Sequence, residues 1–312
     1  MSPKPHFILH GGFHKTASTH IQSTLNRNKK KLQRHGITYV HHRDTRKKLT
    51  VPCQFHVYQQ LGLNFEIKYS EEELKEISEK YFEEVLSGAG ARIIISDENM
   101  AGHCGHCVKR GLLYRWRNRL LRTFAQQFPF PVAEVHLAVR NYADFFSAAY
   151  VEFLRSSTSQ NFLDVSEMKI RVLEHMPSWY KLILTVGENF PEARINVWKY
   201  EDYRALEKQV FANLCGPDFD LELLEPPADK NRRPTASGRA VEEVLKLIYR
   251  HGADYALSRR VEIQEQFPKS AENGVFDPWT PSERAHLTRM YERDIDDIRA
   301  NPDITLIEPG QV

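Results

Sequence analysis

Short, uninterrupted apolar segments that alternate with amphipathic segments constrain the fold of this chain more than any other feature of its sequence. Five of these segments are rich in Ile and Val and are predicted strands: residues 5–10, 37–41, 92–96, 132–139 and 194–198. Continuous rather than alternating hydrophobicity is typical of strands that are buried on both faces, as in a parallel sheet. The order strand, helix, strand, helix therefore predicts an α/β fold with a parallel β-sheet flanked by helices.

Helix signals occupy the intervals between the predicted strands. Ile21, Leu25 and Leu32 recur on one face of the segment that follows the first strand. Ser70 begins a capping box, and the apolar positions after it predict a helix that ends near Gly88. We expect these helices to cover both faces of the sheet.

The C-terminal third differs from the rest because its strand signals end at about Tyr203. Helices are predicted to begin at Ser237 and at Thr280, where a second capping box lies. The polar, proline-bearing residues 254–281 predict an irregular connection. This part of the chain is therefore expected to be helical and to add no strand to the sheet.

Length and composition fit one domain, with an α/β core over residues 1–202 and a helical part over residues 203–312. The 312 residues carry a formal charge of only +2, which gives no reason to expect a nucleic-acid partner. No apolar run approaches the ~20 residues of a membrane span, and the N-terminus lacks a signal-peptide pattern. Four cysteines are too few for a disulfide scaffold. We expect a cytoplasmic protein without a transmembrane segment.

The loop after the first predicted strand carries the strongest chemical signal. It reads LHGGFHKTAST over residues 9–19. A glycine turn between a strand and a helix presents backbone N–H groups at the helix N-terminus, where the helix dipole favours an anion. Lys15 adds a positive charge, and Thr16, Ser18 and Thr19 add hydroxyl groups. The loop predicts a phosphate or sulfate site; the alternative is that its hydroxyls only cap the helix.

The run KTAST at residues 15–19 resembles the 5′-phosphosulfate loop of sulfotransferases that use 3′-phosphoadenosine 5′-phosphosulfate (PAPS). That loop usually reads K-[ST]-G-[TS]-[TS]. Ala17 stands where most members have glycine, and the uronyl 2-O-sulfotransferases are similar in having alanine there. The resemblance implies a P-loop-like α/β core.

A second segment resembles the 3′-phosphate motif of the same family. Arg140 follows the predicted strand 132–139, and Ser147 lies on the predicted helix after it. The family's serine commonly lies eight residues after the arginine, whereas here the spacing is seven, and one residue turns a helical side chain by ~100°. Weaker similarities occur at residues 200–202, which read YED, and at residues 231–237.

The resemblance implies in-line transfer of a sulfuryl group from PAPS to an acceptor hydroxyl on a carbohydrate or glycolipid, without a metal. Lys15 is the implied catalytic group that stabilises charge on the transferring group. The positions implied to bind the donor are His14, Lys15, Thr16, Ala17, Ser18, Thr19, Arg140 and Ser147.

The base that takes the acceptor's proton has four candidates. Glu98 ranks first, because many bacterial sulfotransferases carry a similar S-E at the end of this strand, and strand ends collect ligands in open α/β sheets. His106 and His103 follow, in a region similar to the paired histidines of the uronyl 2-O enzymes. His14, next to the lysine, ranks last.

Other functions are left open by the same residues. A nucleotide-dependent kinase could use Lys15 with Asp97 as a magnesium ligand, although no glycine precedes Lys15 as a Walker A loop requires. A catalytically silent nucleotide- or glycan-binding protein could keep the fold. Cys104 and Cys107, with their neighbouring histidines, could bind zinc or act as a dithiol, but no second C-x-x-C is present.

A basic run follows the predicted base region. Its members are Lys109, Arg110, Arg115, Arg117, Arg119 and Arg122. Arg115, Arg119 and Arg122 share one helix face, which predicts either a solvated surface or attraction of an anionic acceptor, such as an acidic glycan or lipopolysaccharide. The basic residues 29–31 and 46–48 allow the same two interpretations.

Overall fold

A six-stranded parallel sheet forms the centre of the computed structural model, which describes residues 5–63, 65–227 and 235–310. The strand order is β2-β3-β1-β4-β5-β6, and each neighbouring pair is parallel. The strands are β1 (His6–His10), β2 (Ile37–Val40), β3 (Arg92–Ser96), β4 (Val132–Val139), β5 (Arg194–Lys199) and β6 (Ile304–Ile307). The predicted α/β fold with a parallel sheet is confirmed, and all five predicted strands are present.

Helices connect the strands and form most of the C-terminal part. They are α1 (Ser18–Arg27), α2 (Lys29–Arg34), α3 (His42–Thr45), α4 (Val51–Gln60), α5 (Glu71–Leu86), α6 (Cys104–Arg110), α7 (Arg117–Ala125), α8 (Tyr142–Ser156), α9 (Val165–His175), α10 (Trp179–Asn189), α11 (Tyr203–Cys215), α12 (Gly238–His251), α13 (Ala253–Ser258), α14 (Arg260–Gln266) and α15 (Pro281–Ala300). Both predicted capping boxes are present, at Ser70 with Glu73 and at Thr280 with Glu283. A π-helical turn, Arg46–Thr50, precedes α4.

The predicted helical C-terminal part is confirmed, but two details expected of it are wrong. It contains the strand β6, which pairs with β5 from Ile195 opposite Ile304 to Trp198 opposite Ile307. Four residues with one exposed position carry too little pattern to be identified without their partner strand. Residues 254–281 also include α13 and α14, so the expected irregular connection is confined to residues 267–280.

Both faces of the sheet are covered, which explains the continuous hydrophobicity of its strands. Because successive side chains point to opposite faces, Leu9 packs in one apolar cluster and Ile8 in the other. Helices α1, α2 and α11 cover the Ile8 face. The Leu9 face is covered by the larger cluster, to which α5, α7, α8, α10 and α15 contribute. None of the helices in the described ranges has the length and apolar character that crossing a membrane requires.

The strand order creates a crevice between β1 and β4. The chain leaves β1 toward β2 at one edge of the sheet, whereas it leaves β4 toward β5 on the other side. In open α/β sheets, ligands bind outside the carboxyl ends of strands at such a reversal point. The residues that follow β1 and β4 are the KTAST loop and Arg140, so the fold brings both predicted motifs to one crevice.

Asp294 joins the C-terminal part to the core. Its carboxylate accepts hydrogen bonds from the Tyr142 hydroxyl on α8, from the Ser178 hydroxyl at 3.0 Å and from the Trp179 backbone N–H at 2.6 Å. Trp179 is the first residue of α10, where a negative charge also complements the helix dipole. One buried carboxylate of α15 thus serves donors on two helices of the core.

We predict that Asp294→Ala lowers the free energy of unfolding by about 3 kcal/mol, because several buried donors lose their acceptor. Urea denaturation monitored by circular dichroism measures the change. Asp297→Ala is the matched control, since Asp297 is exposed on the same helix and should change stability little. Equal stabilities of the two variants would contradict this role for Asp294.

Candidate functional site

The loop between β1 and α1 folds into a strained backbone turn. Lys15 has φ 65° and Ala17 has φ 67°, in the left-handed region that non-glycine residues rarely adopt. A Cβ atom at Gly12 would lie 2.7 Å from Nε2 of His10, so the loop backbone packs directly against the end of β1. Left-handed residues at a helix N-terminus build the backbone concavities that bind anions. Such strain is typical of functional loops.

The predicted hydroxyl groups divide into two sets. Thr16 donates to the Phe13 carbonyl, and Ser18 donates to the Gly12 carbonyl at 2.8 Å. Both side chains are buried, so they hold the shape of the loop, whereas Thr19 is exposed. The His20 N–H donates to the Ala17 carbonyl at 2.9 Å. The groups available to a ligand are therefore the Ser18 and Thr19 N–H groups at the start of α1 and the Thr19 hydroxyl.

Lys15 forms an ion pair that the sequence analysis did not predict. Its Nζ lies 3.0 Å from Oε2 of Glu152 on α8, and about a quarter of each side chain is exposed. Arg155, one turn further along α8, contacts the other carboxylate oxygen of Glu152. The lysine is thus held at the surface of the crevice by a counter-charge from another element. No sequence motif identifies Glu152 as a site residue. It reaches Lys15 because it lies on α8, the helix that follows Arg140.

Arg140 connects the two predicted motifs. Its Nη1 donates to the Lys15 carbonyl at 2.8 Å, across 125 residues of sequence. The guanidinium carbon lies 4.4 Å from the ring centroid of Tyr200, and the Trp179 indole donates to the Arg140 carbonyl at 2.7 Å. Nε of Arg140 is buried without a hydrogen-bond partner in the described residues. A fixed guanidinium with a free donor suits an anionic group.

Ser147, predicted with Arg140, is not brought to this cluster. Its side chain is buried, donates to the Ala143 carbonyl at 2.7 Å and accepts from the Trp279 indole at 3.1 Å. The seven-residue spacing from Arg140 turns this hydroxyl toward the C-terminal part of the protein. Of the weaker similarities, residues 200–202 lie next to Arg140, whereas residues 231–234 lie outside the described residues.

Two carboxylates follow β3 and share one arginine. Nη2 of Arg46 lies 2.8 Å from Oδ1 of Asp97 and 3.0 Å from Oε1 of Glu98, and the Gln22 amide donates to Oε2 of Glu98 at 2.7 Å. Burial raises the pKa of Asp97. Burial would also raise the pKa of Glu98, but His14, Arg46 and Gln22 lower it to about 2. Glu98 is therefore a persistent carboxylate whose two oxygens are engaged, which weakens it as a proton acceptor.

Arg46 belongs to the basic run 46–48, for which the sequence left open a solvated surface or attraction of an anionic acceptor. It projects from the π-helical turn Arg46–Thr50, a kind of helical irregularity that is frequent at functional sites. The turn aims the guanidinium at the carboxyl end of β3, where Asp97 is fully buried. The pairing of Arg46 with the buried Asp97 carboxylate cannot be recognised from the sequence, because 51 residues separate the two side chains.

His14 is held by both ring nitrogens. Nδ1 lies 2.9 Å from the Tyr114 hydroxyl and Nε2 lies 3.1 Å from Oδ1 of Asn99. Because the amide oxygen only accepts, we assign the proton to Nε2, and Nδ1 then accepts from Tyr114. Burial lowers the pKa of His14 to about 4, against the opposing effect of Glu98. At neutral pH His14 is an uncharged ring with little freedom to accept a further proton.

The other two predicted histidines extend from His14 toward α7. The ring centroid of His103 lies 5.9 Å from that of His14 and 6.3 Å from that of His106. Nδ1 of His103 accepts from the Gly105 N–H at 3.1 Å and caps α6, while His106 lies 4.8 Å from the Trp116 ring. Burial lowers the pKa of both, that of His106 to about 4. The three imidazoles line one side of the crevice.

The zinc alternative finds no support in the cysteines. All four lie in the described residues as buried, free thiols. Burial raises the pKa of Cys104 to about 12 and raises that of Cys107 as well. Within residues 5–63, 65–227 and 235–310, no three His, Cys, Asp or Glu side chains converge in a way that could hold a metal ion.

Part of the predicted basic run lines a cavity. Arg119 and Arg122 of α7 border a space of about 570 Å³, which Gln60 of α4 and Lys75 of α5 also line. Trp116, directly before α7, contacts His106 at 4.8 Å between ring centroids. Helix α7 thus begins beside the row of imidazoles and carries basic side chains at this cavity.

Comparison of the chain with protein-family models, with curated proteins and with solved structures finds no match.

We predict that Arg46→Ala lowers the free energy of unfolding by about 3 kcal/mol, because it leaves the buried Asp97 carboxylate without its counter-charge. Urea denaturation provides the measurement. Lys47→Ala tests the neighbouring, exposed position of the same turn and should be nearly neutral. If Arg46→Ala were as stable as Lys47→Ala, the pairing of Arg46 with Asp97 would carry no stabilising energy.

We also predict that stability falls as the pH is lowered from 6.5 toward 5. Burial and His136 lower the pKa of His10 from 6.5 to about 3, so the unfolded chain binds a proton in this range and the folded chain does not. His10 alone contributes about 2 kcal/mol of this loss at pH 5. Urea denaturation at pH 7 and pH 5 should show a smaller difference for His10→Gln than for wild type. The exposed control His175→Gln should keep the wild-type difference.

Proposed function

We propose that this chain is a sulfotransferase that transfers a sulfuryl group from PAPS to an acceptor hydroxyl on a carbohydrate or glycolipid. The observation that carries the proposal is the 2.8 Å hydrogen bond from Arg140 to the Lys15 carbonyl. It joins an arginine at the end of β4 to an anion-binding loop at the end of β1. A single ligand with two separate anionic groups could contact both, and a nucleotide with a 5′-phosphosulfate and a 3′-phosphate is such a ligand.

The loop and Arg140 fit the two ends of this donor differently. The N–H groups at the start of α1 and the Lys15 ammonium would hold the 5′-phosphosulfate, where Lys15 neutralises charge that develops on the leaving phosphate. The buried, unpartnered Nε of Arg140 would serve the 3′-phosphate. Thr16 and Ser18 support the loop from within, and Thr19 can add a hydroxyl donor. Ser147 has no part in this proposal, because Ala143 and Trp279 engage its hydroxyl.

The acceptor would enter on the side of the crevice lined by imidazoles. His14, His103 and His106 lead from the loop toward α7, where Arg119 and Arg122 border the neighbouring cavity. A positive rim attracts an anionic acceptor, so an acidic glycan or lipopolysaccharide suits this surface.

A nucleotide-dependent kinase is the alternative with the nearest chemistry. Its proposed metal ligand, Asp97, accepts hydrogen bonds from Arg46 at 2.8 Å and from the Asn99 backbone N–H at 3.1 Å, and its side chain is fully buried. These bonds all reach Oδ1, and Oδ2 is buried without a hydrogen-bond partner in the described residues, so magnesium would have to enter this buried position beside the Arg46 guanidinium. This arrangement favours the sulfotransferase over the kinase.

Titration calorimetry tests the donor site. We expect 3′-phosphoadenosine 5′-phosphate, the product of the donor, to bind in the micromolar range and more tightly than ATP with magnesium. Lys15→Ala and Arg140→Ala should each weaken binding about 30-fold or more, which corresponds to the loss of about 2 kcal/mol in charge-assisted hydrogen bonds.

Arg204→Ala is the control, because Arg204 is an exposed arginine on α11; it should leave the affinity unchanged. Preference for ATP with magnesium would replace the proposal by the kinase alternative. Binding of the bisphosphate that survives both site substitutions would contradict the assignment of the donor site. A protein that binds PAPS but transfers no sulfuryl group to any of a range of glycans would be the non-catalytic alternative.

A further inference from the structure

Glu152 is the ion-pair partner of Lys15. Its Oε2 lies 3.0 Å from Nζ of Lys15, the ammonium that would contact the transferring sulfuryl group. The Glu152 side chain is 28% exposed, so an incoming molecule can approach it. A group that contacts Lys15 and is open to solvent is well placed to meet an acceptor hydroxyl.

The other candidate bases are engaged elsewhere. Both oxygens of Glu98 have partners, in Arg46 and Gln22. Both nitrogens of His14 have partners, in Tyr114 and Asn99.

The remaining imidazoles are no better placed. Nδ1 of His103 accepts from the Gly105 N–H, so the neutral ring carries its proton on the nitrogen that faces away from α6. His106 lies beyond His103 in the row, against the Trp116 ring. None of these four residues is paired with Lys15. Glu152 is also engaged at both oxygens in the free protein, Oε2 by Lys15 and Oε1 by Arg155, but its partner at Oε2 is the group that an anionic donor would attract.

Resting on the proposed sulfotransferase function, we propose that Glu152 is the base that takes the proton of the acceptor hydroxyl. In the free protein Lys15 and Glu152 neutralise each other. When the donor binds, Lys15 turns its ammonium toward the phosphosulfate, and Oε2 of Glu152 loses its partner. The movement of Lys15 toward the donor therefore frees the Glu152 carboxylate beside it.

The proposed step balances without a further reactant. The acceptor O–H proton passes to Oε2 of Glu152 as the acceptor oxygen forms its bond to sulfur. The bond between sulfur and the bridging oxygen of the 5′-phosphate breaks, and its electron pair leaves with the adenosine bisphosphate. No atom is oxidised or reduced, and Glu152 later returns the proton to water. Lys15, Arg155 and His103 are the charged and titratable groups around this carboxylate.

Glu152→Gln separates catalysis from binding. It removes the base and also the counter-charge that competes with the donor for Lys15. We expect the variant to bind 3′-phosphoadenosine 5′-phosphate as tightly as wild type, or up to about tenfold more tightly. The rate of donor breakdown, followed with PAPS and with water and an aliphatic alcohol as acceptors, should fall at least 100-fold, the usual share of a general base.

The control is Glu222→Gln, which removes the carboxylate of another lysine–glutamate pair, with Lys208 of α11, in which both side chains are largely exposed; it should change neither quantity. Equal rates of donor breakdown in wild type and Glu152→Gln, at whatever level, would overturn the inference. So would a joint loss of rate and of bisphosphate affinity, which would make Glu152 only a support for Lys15. If the wild-type protein does not bind the bisphosphate, the proposed function itself fails, and the inference falls with it.

Discussion

The hydrogen bond from Arg140 to the Lys15 carbonyl is the contact on which the candidate site depends. It exists because β1 and β4 are neighbours in the sheet and end at the same edge. The loop backbone, with its left-handed Lys15 and Ala17, is thereby fixed against the end of the next strand. Strain of this kind persists only where surrounding structure holds it, and here the buried Thr16 and Ser18 side chains and the guanidinium all do so.

Charge neutralisation organises the rest of the crevice. Asp97 and Glu98 share Arg46, while Lys15 faces Glu152. The group of Asp97, Glu98 and Arg46 is permanent, because the fully buried Asp97 carboxylate needs a counter-charge. The second is partly exposed and can exchange partners at lower cost. Arg46 with Asp97 and Glu98 thus suits structural support of the strand end. The Lys15–Glu152 pair suits a change of partner, as the proposed binding of an anionic donor requires.

Local patterns were sufficient for most of the fold, and they failed where a feature depended on distant residues. The strands of the core and both capping boxes follow from patterns within a few residues. The four-residue β6 needed β5, from which it is separated by more than 100 residues, to complete its ladder. Ser147 is the residue type that the motif requires, but it lies one residue closer to Arg140 than is usual, and its hydroxyl therefore faces Trp279. Arg46 and Glu152 were missed as site residues, because each acts through a partner far away in sequence.

By itself, the sequence determined the α/β architecture, the turn between strand and helix at residues 11–19 and the position of Arg140 at a strand end. These properties depend on hydrophobic periodicity and on the backbone chemistry of short segments, which are local. Only the tertiary structure decided that Arg140 reaches the loop, that Arg46 occupies Asp97 and Glu98, and that Glu152 faces Lys15. Those pairings depend on the strand order and on the packing of helices against the sheet, which bring together side chains that no local pattern relates.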